Sequence, residues 1–449
     1  MSRFPFLSIR LFLFSSLATI LLMGCQETET TVPKPVASAP FGTQSLAEAN
    51  LNEAAVRNAD STMQAFVKEG LVPGVQMWLF KGESLVHHSQ AGWENPVDQV
   101  PLREDAIYRL ASMSKPITAV AILQLMEAGL LQLDDPVSTY LPTFAAPQVM
   151  TEFHPEDSSY IAEPAKREVS IRDLLTHSSG IGYPFIQQAY GALAYPAGIL
   201  DGMSLDSVTL EDQIPLIGKI PLLHQPGEAY TYGLSLDVLG HVVEVVSGQA
   251  LDEYFSEHIF EPLGMDDTYF YLPQNKTDRL VPIISMVEAN QFIPMDQLDT
   301  VMGRAMSSFP YSGAQTYFSG GSGLCGTGED YARFATMLTQ MGTFQQVSIL
   351  KKETVALMGT DQILGDPVYG LGVSVRAADS LAKHPDLPGP LGWGGIFKTT
   401  FTSDPSNELT VVFMAQTLPN SAIDAMYEQC RIFLSQLAKT SPIKLAAHP

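Results

Sequence analysis

The chain has 449 residues, of which 48 are acidic and 25 are basic, so its formal net charge is −23 at pH 7. Nucleic acids and anionic lipid surfaces are bound through lysine and arginine, so this acidity excludes both as charge-driven partners. Hydrophobic residues make up 45% of the chain and charged residues only 16%, which predicts a large buried core. Three cysteines are too few for a disulfide-framed scaffold or a multi-cysteine zinc site.

Residues 1–24 are predicted to be an export signal. Two arginines lie near the start, and the apolar stretch Leu11–Met23 is too short for a comfortable membrane span. The sequence Leu-Met-Gly-Cys that ends at Cys25 resembles a bacterial lipobox, where the signal is cut before the cysteine and the thiol is acylated. We therefore expect an exported lipoprotein, held in the cell envelope by a lipid anchor on Cys25. Gln26 resembles the pattern that directs lipoproteins to the periplasmic face of the outer membrane. An uncleaved anchor or an ordinary secretory signal is the alternative.

The rest of the chain is predicted to contain one folded domain. Residues 25–45 are rich in threonine, proline and alanine, and they are expected to form a disordered tether. The domain is expected to span residues 46–439, with a mostly helical insert at roughly 140–310, and residues 440–449 are expected to be a tail. Export would remove two arginines and no acidic residue, which gives a mature charge of −25.

Apolar periodicity predicts secondary structure at both ends of this domain. In chain order, the expected elements are a helix within 46–69, a hairpin that starts at Gly74, buried helices at Thr118–Leu131 and Leu234–Val246, β-like runs at Tyr369–Arg376, Ile396–Ser403 and Leu409–Gln416, and a closing helix at Ser421–Leu437. Strands at both chain ends predict an α+β fold, an α/β sandwich in which an antiparallel sheet built from the N- and C-terminal segments is flanked by helices.

The segment Ser112–Lys115, with the sequence Ser-Met-Ser-Lys, stands directly before Pro116 and an apolar run. Proline is tolerated in the first turn of a helix, so the segment is predicted to lie at a helix N-terminus. Residues three apart share a helix face, which brings the Lys115 amine beside the Ser112 hydroxyl. A lysine whose pKa is lowered by burial and by the helix dipole can activate a serine nucleophile. A solvated helix surface is the alternative interpretation.

A second segment, Pro226–Tyr232, precedes the second apolar helix and places Tyr232 where a loop meets that helix. A phenol at this position can exchange protons with Lys115 and with the leaving group of a substrate. An ordinary half-buried tyrosine is the alternative.

The segments Ser112–Lys115 and Pro226–Tyr232, together with further segments in the family's chain order, resemble the penicillin-recognising serine hydrolases. The resemblance is specifically to the class C β-lactamase-like group, which includes esterases, D-aminopeptidases and alkaline peptidases. The resemblance covers roughly residues 50–420, and the additional matching segments are Val169–Gly180, Ile259–Met265, Gly320–Leu324 and Asp330–Phe334. It implies that Ser112 is the acylated nucleophile and that Lys115 and Tyr232 share the general-base and general-acid roles. It also implies a structural role for His177, and no cofactor or metal.

The segment Leu391–Ile396 occupies the place of the family's Lys-Thr-Gly triplet. By this resemblance the oxyanion hole consists of the backbone N–H groups of Ser112 and Ile396. Trp393, Gly394 and Gly395 are then expected to contact the substrate.

Two departures from the family pattern bear on the substrate. β-Lactamases offer a cation and a hydroxyl from the triplet to the antibiotic's carboxylate, whereas Trp393 and Gly394 offer neither. The family's Tyr-x-Asn amide is replaced by Leu234, which is expected to give an apolar substrate contact. A site without these polar partners no longer selects strongly for polar substrates. Similar Trp-Gly-Gly replacements occur among the family's carboxylesterases, so a carboxylesterase acting on neutral or apolar esters is predicted.

Other chemistries find less support in the sequence. There is no Gly-x-Ser-x-Gly, His-Glu-x-x-His or Cys-x-x-Cys, which argues against an α/β-hydrolase elbow and a zinc site. His87 and His88 would face opposite sides of a strand, so they are not expected to form a ligand pair. Cys325 and Cys430 could form a disulfide or stay as buried thiols.

Two alternatives to the esterase stay open: a weak β-lactamase or D-amino-acid peptidase, and a catalytically silent binding protein of the envelope. The expected partners are a small-molecule ester or amide and, through the lipid anchor, a membrane. Nucleic acid is not an expected partner.

Overall fold

The computed structural model describes residues 41–200, 202–298, 307–363, 368–375 and 390–437. The predicted signal, Cys25, most of the predicted tether and the predicted tail 440–449 lie outside these residues. Among the helices of the described ranges, none has both the length and the apolar character needed to cross a membrane.

The described ranges contain strands at both chain ends and in short hairpins between them. The strands are β1 (Gly42–Thr43), β2 (Gly74–Lys81), β3 (Ser84–Asn95), β4 (Val100–Pro101), β5 (Ile107–Arg109), β6 (Gln148–His154), β7 (Ser159–Pro164), β8 (Ile284–Glu288), β9 (Gln291–Pro294), β10 (Cys325–Thr327), β11 (Thr343–Phe344), β12 (Val347–Ser348), β13 (Ser374–Val375), β14 (Leu391–Gly394), β15 (Thr400–Asp404) and β16 (Leu409–Met414).

The helices lie mostly between the strands of the two chain ends. They are α1 (Glu53–Lys68), α2 (Ser114–Glu127), α3 (Ile171–Leu175), α4 (Gln188–Ala194), α5 (Leu210–Ile217), α6 (Ser235–Ser247), α7 (Leu251–Phe255), α8 (Glu261–Leu263), α9 (Gly328–Thr339), α10 (Lys352–Met358) and α11 (Ser421–Leu434).

One eight-stranded sheet organises the fold. Its strands are ordered β1-β3-β2-β16-β15-β14-β13, with β4 paired to β3, so that N-terminal β2 lies directly beside C-terminal β16. All its pairings are antiparallel except that between β1 and β3. The α+β sandwich predicted from the sequence is confirmed, with the addition of this parallel edge strand.

Alternation along the strands separates the core into two layers. In β2, Met77 and Leu79 pack against α1 and α11 on one face of the sheet. Trp78 and Phe80 point to the opposite face and join the larger core built around α2. The period of two that defines a strand therefore assigns each apolar residue to one helical layer.

Helix α2 lies at the centre of the larger core. Every residue from Ser114 to Leu125 is buried, and this helix has apolar residues on all its faces, as expected for a helix enclosed by protein. The helix begins at Ser114, four residues before the predicted apolar run that starts at Thr118. This start agrees with the helix N-terminus that Pro116 predicted for the segment Ser112–Lys115.

The structure differs from the expectations at three further places. Strand β1 lies within the predicted tether 25–45, because Gly42 and Thr43 pair with the edge strand β3. The predicted helical insert contains two β-hairpins, β6–β7 and β8–β9. Much of each is exposed, so the apolar alternation typical of a strand is weak. The predicted strand Ile396–Ser403 begins only at Thr400, since a tight turn closed by Lys398 N–H and the Gly395 carbonyl comes first.

Candidate active site

Ser112 lies in a single 3-10 turn, Ala111–Met113, that leads directly into α2. The preceding residue, Ala111, has a φ of 47°, a left-handed conformation that is strained for a residue with a side chain. The turn is held by surrounding elements, since Leu110 N–H donates to the Leu324 carbonyl and Leu110 O accepts from the Thr399 hydroxyl. The serine is thus presented from a backbone that its neighbours fix.

Lys115 is completely buried one helical turn after Ser112. Its Nζ donates to Ser112 Oγ at 3.2 Å, to the Tyr183 hydroxyl at 3.0 Å and to the Gly321 carbonyl at 2.8 Å. An ammonium group has three N–H donors, and these three acceptors satisfy all of them. The predicted contact between Lys115 and Ser112 is therefore present in the structure.

Tyr232 approaches Ser112 from the loop that precedes α6. Its hydroxyl donates to Ser112 Oγ at 2.7 Å, and the Lys115 Nζ lies 4.7 Å from the centre of its ring. The loop is fixed by a hydrogen bond from Thr231 N–H to the His177 carbonyl at 2.7 Å. The structure thus brings Ser112, Lys115 and Tyr232 together, as the sequence predicted.

Tyr183 is a site residue that the sequence analysis missed. It is buried, accepts from Lys115 and lies with its ring 5.4 Å from that of Tyr232. Burial, with the neighbouring Tyr232 and Asp237, raises the pKa of Tyr183 well above its usual value, so its phenol stays protonated. It follows the Val169–Gly180 segment closely in the chain, and this proximity was the one sequence signal that could have indicated it.

His177 lies beneath the site as a neutral ring. It is completely buried, and its ring centre is 4.8 Å from that of Tyr232. Burial, aided by Lys115, lowers the pKa of His177 well below its usual value, and neither ring nitrogen has a partner within the described residues. This packing agrees with the structural role that the resemblance implied.

The end of β14 and the two residues after it form the part of the cavity wall beside Tyr232. Trp393 has its ring 5.8 Å from the Tyr232 ring, and Trp393, Gly394, Gly395 and Ile396 all line the cavity above Ser112. A Cβ on Gly395 would lie 2.4 Å from the Leu110 carbonyl, so the close approach to the serine turn requires glycine here.

The predicted oxyanion donors, the N–H groups of Ser112 and Ile396, both belong to residues that line the cavity. Within the described part of the chain, neither N–H donates to another group. Both are therefore free to bind a developing oxyanion.

The predicted substrate contact at Leu234 is not found. Leu234 is fully buried at the start of α6 and is absent from the cavity wall, where Tyr230 and Tyr232 are present. Helix α6 begins at Ser235 with Leu234 as its N-cap, and the Leu234 side chain packs in the larger core. Its role is packing.

The cavity above Ser112 has a volume of about 590 Å³, within the usual range of small-molecule sites. Aromatic and aliphatic residues form much of its wall, among them Phe185, Ile186 and Met203. Of the described residues that line it, the charged ones are Asp424 and Arg431 on α11 and Lys398, which is paired with Asp424 at 2.7 Å. The rings of Trp393 and Phe185 lie beside those of Tyr232 and Tyr183, so the part of the cavity next to these tyrosines suits an uncharged, apolar group.

The histidines and cysteines considered as metal ligands or disulfide partners do not line this cavity. His87 contacts Asp60 at 3.0 Å and His88 stacks on Trp78, so the two histidines have different surroundings. Cys325 and Cys430 are both buried free thiols. No cluster of three or more metal-ligating side chains occurs in the ranges that the structure covers.

The chain matches known proteins across most of its length. The family model described as beta-lactamase matches residues 59–429. Esterase EstB of Burkholderia gladioli is 30% identical over 362 residues, covering 79% of this chain and 88% of the relative. Lovastatin esterase of Penicillium rubens is 32% identical over 230 residues, covering 51% of this chain and 56% of the relative.

The fold is also similar to solved structures. EstCE1, described as a hydrolase with promiscuous acyltransferase activity, superimposes with a TM-score of 0.71 at 27% identity, covering 85% of this chain and 98% of the other. The site geometry, the family model and these relatives agree. The chain belongs to the beta-lactamase family, and it is a serine hydrolase of the esterase-like kind within it.

Proposed function

We propose that the protein is an exported carboxylesterase that hydrolyses neutral or apolar esters through an acyl-enzyme on Ser112. One observation carries this proposal: Ser112 Oγ is hydrogen-bonded to both Lys115 and Tyr232 at the base of a cavity whose nearby walls are apolar. The name of esterase EstB and the description of EstCE1 as a hydrolase support ester hydrolysis as the reaction.

In the proposed reaction, Ser112 Oγ attacks the ester carbonyl carbon and loses its proton to the Lys115–Tyr232 pair. The N–H groups of Ser112 and Ile396 stabilise the negative oxygen that forms. Collapse of this intermediate breaks the bond to the alcohol, which leaves with the proton from the same pair. Water then attacks the acyl carbon and gives a proton to the pair. As the bond to Ser112 Oγ breaks, the pair returns this proton to the serine oxygen, and the carboxylic acid and free Ser112 are released.

Substrate panels with a serine variant test the proposal. The chain without its predicted signal would be offered short-chain p-nitrophenyl esters, a chromogenic cephalosporin and D-alanyl peptides. We expect ester hydrolysis to dominate and Ser112→Ala to reduce it by about a thousandfold or more. Ser89→Ala is a matched control, because the Ser89 hydroxyl is buried without a partner among the described residues.

The other outcomes identify the alternatives. Fast cephalosporin or peptide turnover without ester hydrolysis would replace the esterase with a β-lactamase or peptidase. Equal activity of wild type and Ser112→Ala on every substrate would favour a silent binding protein.

We also propose that acylation of Cys25 holds the enzyme in the bacterial cell envelope. The lipobox-like sequence before Cys25 supports this location. The strongly acidic composition supports it too, since an acidic surface does not by itself adsorb to anionic lipid.

A further inference from the structure

A carboxylate lies buried behind the catalytic lysine. Asp237, in the first turn of α6, is completely inaccessible to solvent. Its Oδ1 accepts from the Ser319 hydroxyl and, at 3.4 Å, from Gly321 N–H. Its Oδ2 has no partner within the described residues. A buried carboxylate with an unused oxygen is costly, so its presence requires an explanation.

The two hydrogen bonds of Asp237 fix the turn Ser319–Ser322. This turn also contacts α2, because the Gly321 carbonyl accepts from Lys115 Nζ at 2.8 Å and the Gly320 carbonyl accepts from the Thr118 hydroxyl. The turn fits closely, since a Cβ on Gly321 would lie 2.4 Å from Asp237 Oδ2. Asp237 thus holds one face of the turn while Lys115 is held by the other.

Asp237 also has an electrostatic relation to the site. Lys115 forms no ion pair with any described residue, so its buried amine lacks a direct counter-ion. Burial raises the pKa of Asp237, whereas the Ser319 hydroxyl and Lys115 act in the opposite direction. The titratable groups that face Asp237 are Lys115 from α2, Tyr183 from the segment before α4, and Tyr317 beside the turn. Lys115 is the cation among them.

We propose that Asp237 is a positioning residue of the active site, which aims the Gly321 carbonyl at Lys115. This inference rests on the proposed hydrolysis at Ser112. Asp237 lies outside the cavity wall, so it acts through Lys115 and does not touch the substrate.

The substitutions Asp237→Leu and Asp237→Asn together separate this role from simple packing. Leucine fills a similar space but has no acceptor for the Ser319 hydroxyl and Gly321 N–H. The amide of asparagine can keep its Oδ1 as the acceptor of both hydrogen bonds, with its NH2 group in the place of Oδ2, which has no partner within the described residues.

The test measures ester hydrolysis by wild type, Asp237→Leu and Asp237→Asn. For Asp237→Leu we expect kcat to fall about 10- to 100-fold, because a misplaced catalytic group has a cost of this size, with KM nearly unchanged. Asp237→Asn should recover most of the wild-type kcat, because it can keep both hydrogen bonds to the turn. A folded Asp237→Leu protein with the wild-type kcat, or an Asp237→Asn protein as slow as Asp237→Leu, would overturn the proposal.

Two further variants keep the test decisive. Asp330→Asn alters another buried carboxylate, one that accepts from Asp267 N–H and the Thr268 hydroxyl, and should leave kcat unchanged. If Asp237→Leu does not fold, Ser319→Ala removes one hydrogen bond to the same turn and should lower kcat at constant KM. Wild-type kcat in that variant would refute the positioning role. Failure of the proposed function appears separately, as hydrolysis that Ser112→Ala does not abolish.

Discussion

At the scale of single residues, the site depends on the two hydrogen bonds that the Ser112 hydroxyl oxygen accepts. Lys115 and Tyr232 both donate to its oxygen, at 3.2 and 2.7 Å, and Lys115 is further held by Tyr183 and Gly321. Two titratable groups therefore lie within hydrogen-bond reach of the serine oxygen. The same arrangement lets one pair of residues serve as base in acylation and as acid for the leaving group.

The hydroxyl of Tyr232 is therefore expected to be needed for the chemical step. Tyr232→Phe keeps the ring that packs on His177 and Trp393 but removes the proton donor and acceptor. We expect kcat to fall about 100- to 10,000-fold, the usual contribution of a general acid–base group. Steady-state kinetics on a p-nitrophenyl ester measures this fall.

Tyr190→Phe is the matched control for this substitution. Tyr190 is buried, its hydroxyl has no partner in the described structure, and it does not line the cavity. This variant should keep wild-type kcat. Equal kcat in Tyr232→Phe and wild type would assign proton transfer to Lys115 alone.

At the scale of elements, the loop before α6 places Tyr232 by close backbone contact. Gly233 packs against the segment Ile181–Gly182, where a Cβ would lie 2.0 Å from the Ile181 carbonyl and 2.7 Å from the Gly182 carbonyl carbon. The same segment continues into Tyr183, so this contact joins the two tyrosines of the site. Backbone atoms cannot move aside as a flexible side chain does, and the contact therefore needs glycine.

Gly233→Ala is expected to push these two segments apart. We predict a loss of stability of about 1–3 kcal/mol, typical of overpacking, and a fall in kcat/KM of at least tenfold. Thermal unfolding and ester kinetics measure the two effects. Gly42→Ala is the control, since the one described atom near its Cβ would be the Ser84 hydroxyl, at 3.6 Å. An unchanged kcat/KM in Gly233→Ala would show that the site tolerates movement of this loop.

At the scale of the whole molecule, helix α9 joins the central sheet to the inserted segments. It packs on the sheet face formed by β2, β15 and β16, and Asp330 in its first turn accepts from Asp267 N–H and the Thr268 hydroxyl at 2.8 Å. Burial raises the pKa of Asp330 to about 7, so this carboxyl is protonated in the folded protein at acidic pH.

This raised pKa predicts a pH-dependent stability. The folded state binds the proton more tightly than the unfolded state, so the contribution of Asp330 is fully favourable below about pH 4 and is lost as the pH rises through about 7. Asp330→Asn removes this dependence. We expect the stability of the variant relative to wild type to increase between pH 4 and pH 7, by on the order of 2 to 4 kcal/mol at most. Denaturant unfolding at several pH values measures it, and a constant difference would contradict the buried, titrating carboxyl.

Much of the fold and the centre of the site could be predicted because the sequence patterns that indicate them involve residues close together in the chain. The spacing of Ser112 and Lys115 is one helical turn, and the apolar helix after them and the strands at both chain ends follow from periodicity within a few residues. Tyr232 was found because it precedes a recognisable apolar helix. The exposed hairpins β6–β7 and β8–β9 were missed, since strands with little burial carry a weak apolar pattern.

The amino-acid sequence by itself determined the family, the central helix and the three residues Ser112, Lys115 and Tyr232. Only the tertiary structure showed that Tyr183 and Gly321 accept hydrogen bonds from Lys115, from which they are separated by 68 and 206 residues of chain. It also placed Asp237 behind the site and turned Leu234 into the core. The physical reason is the range of the interactions: helix spacing and apolar alternation act between near neighbours, whereas burial and the partners of a buried lysine depend on packing between distant segments.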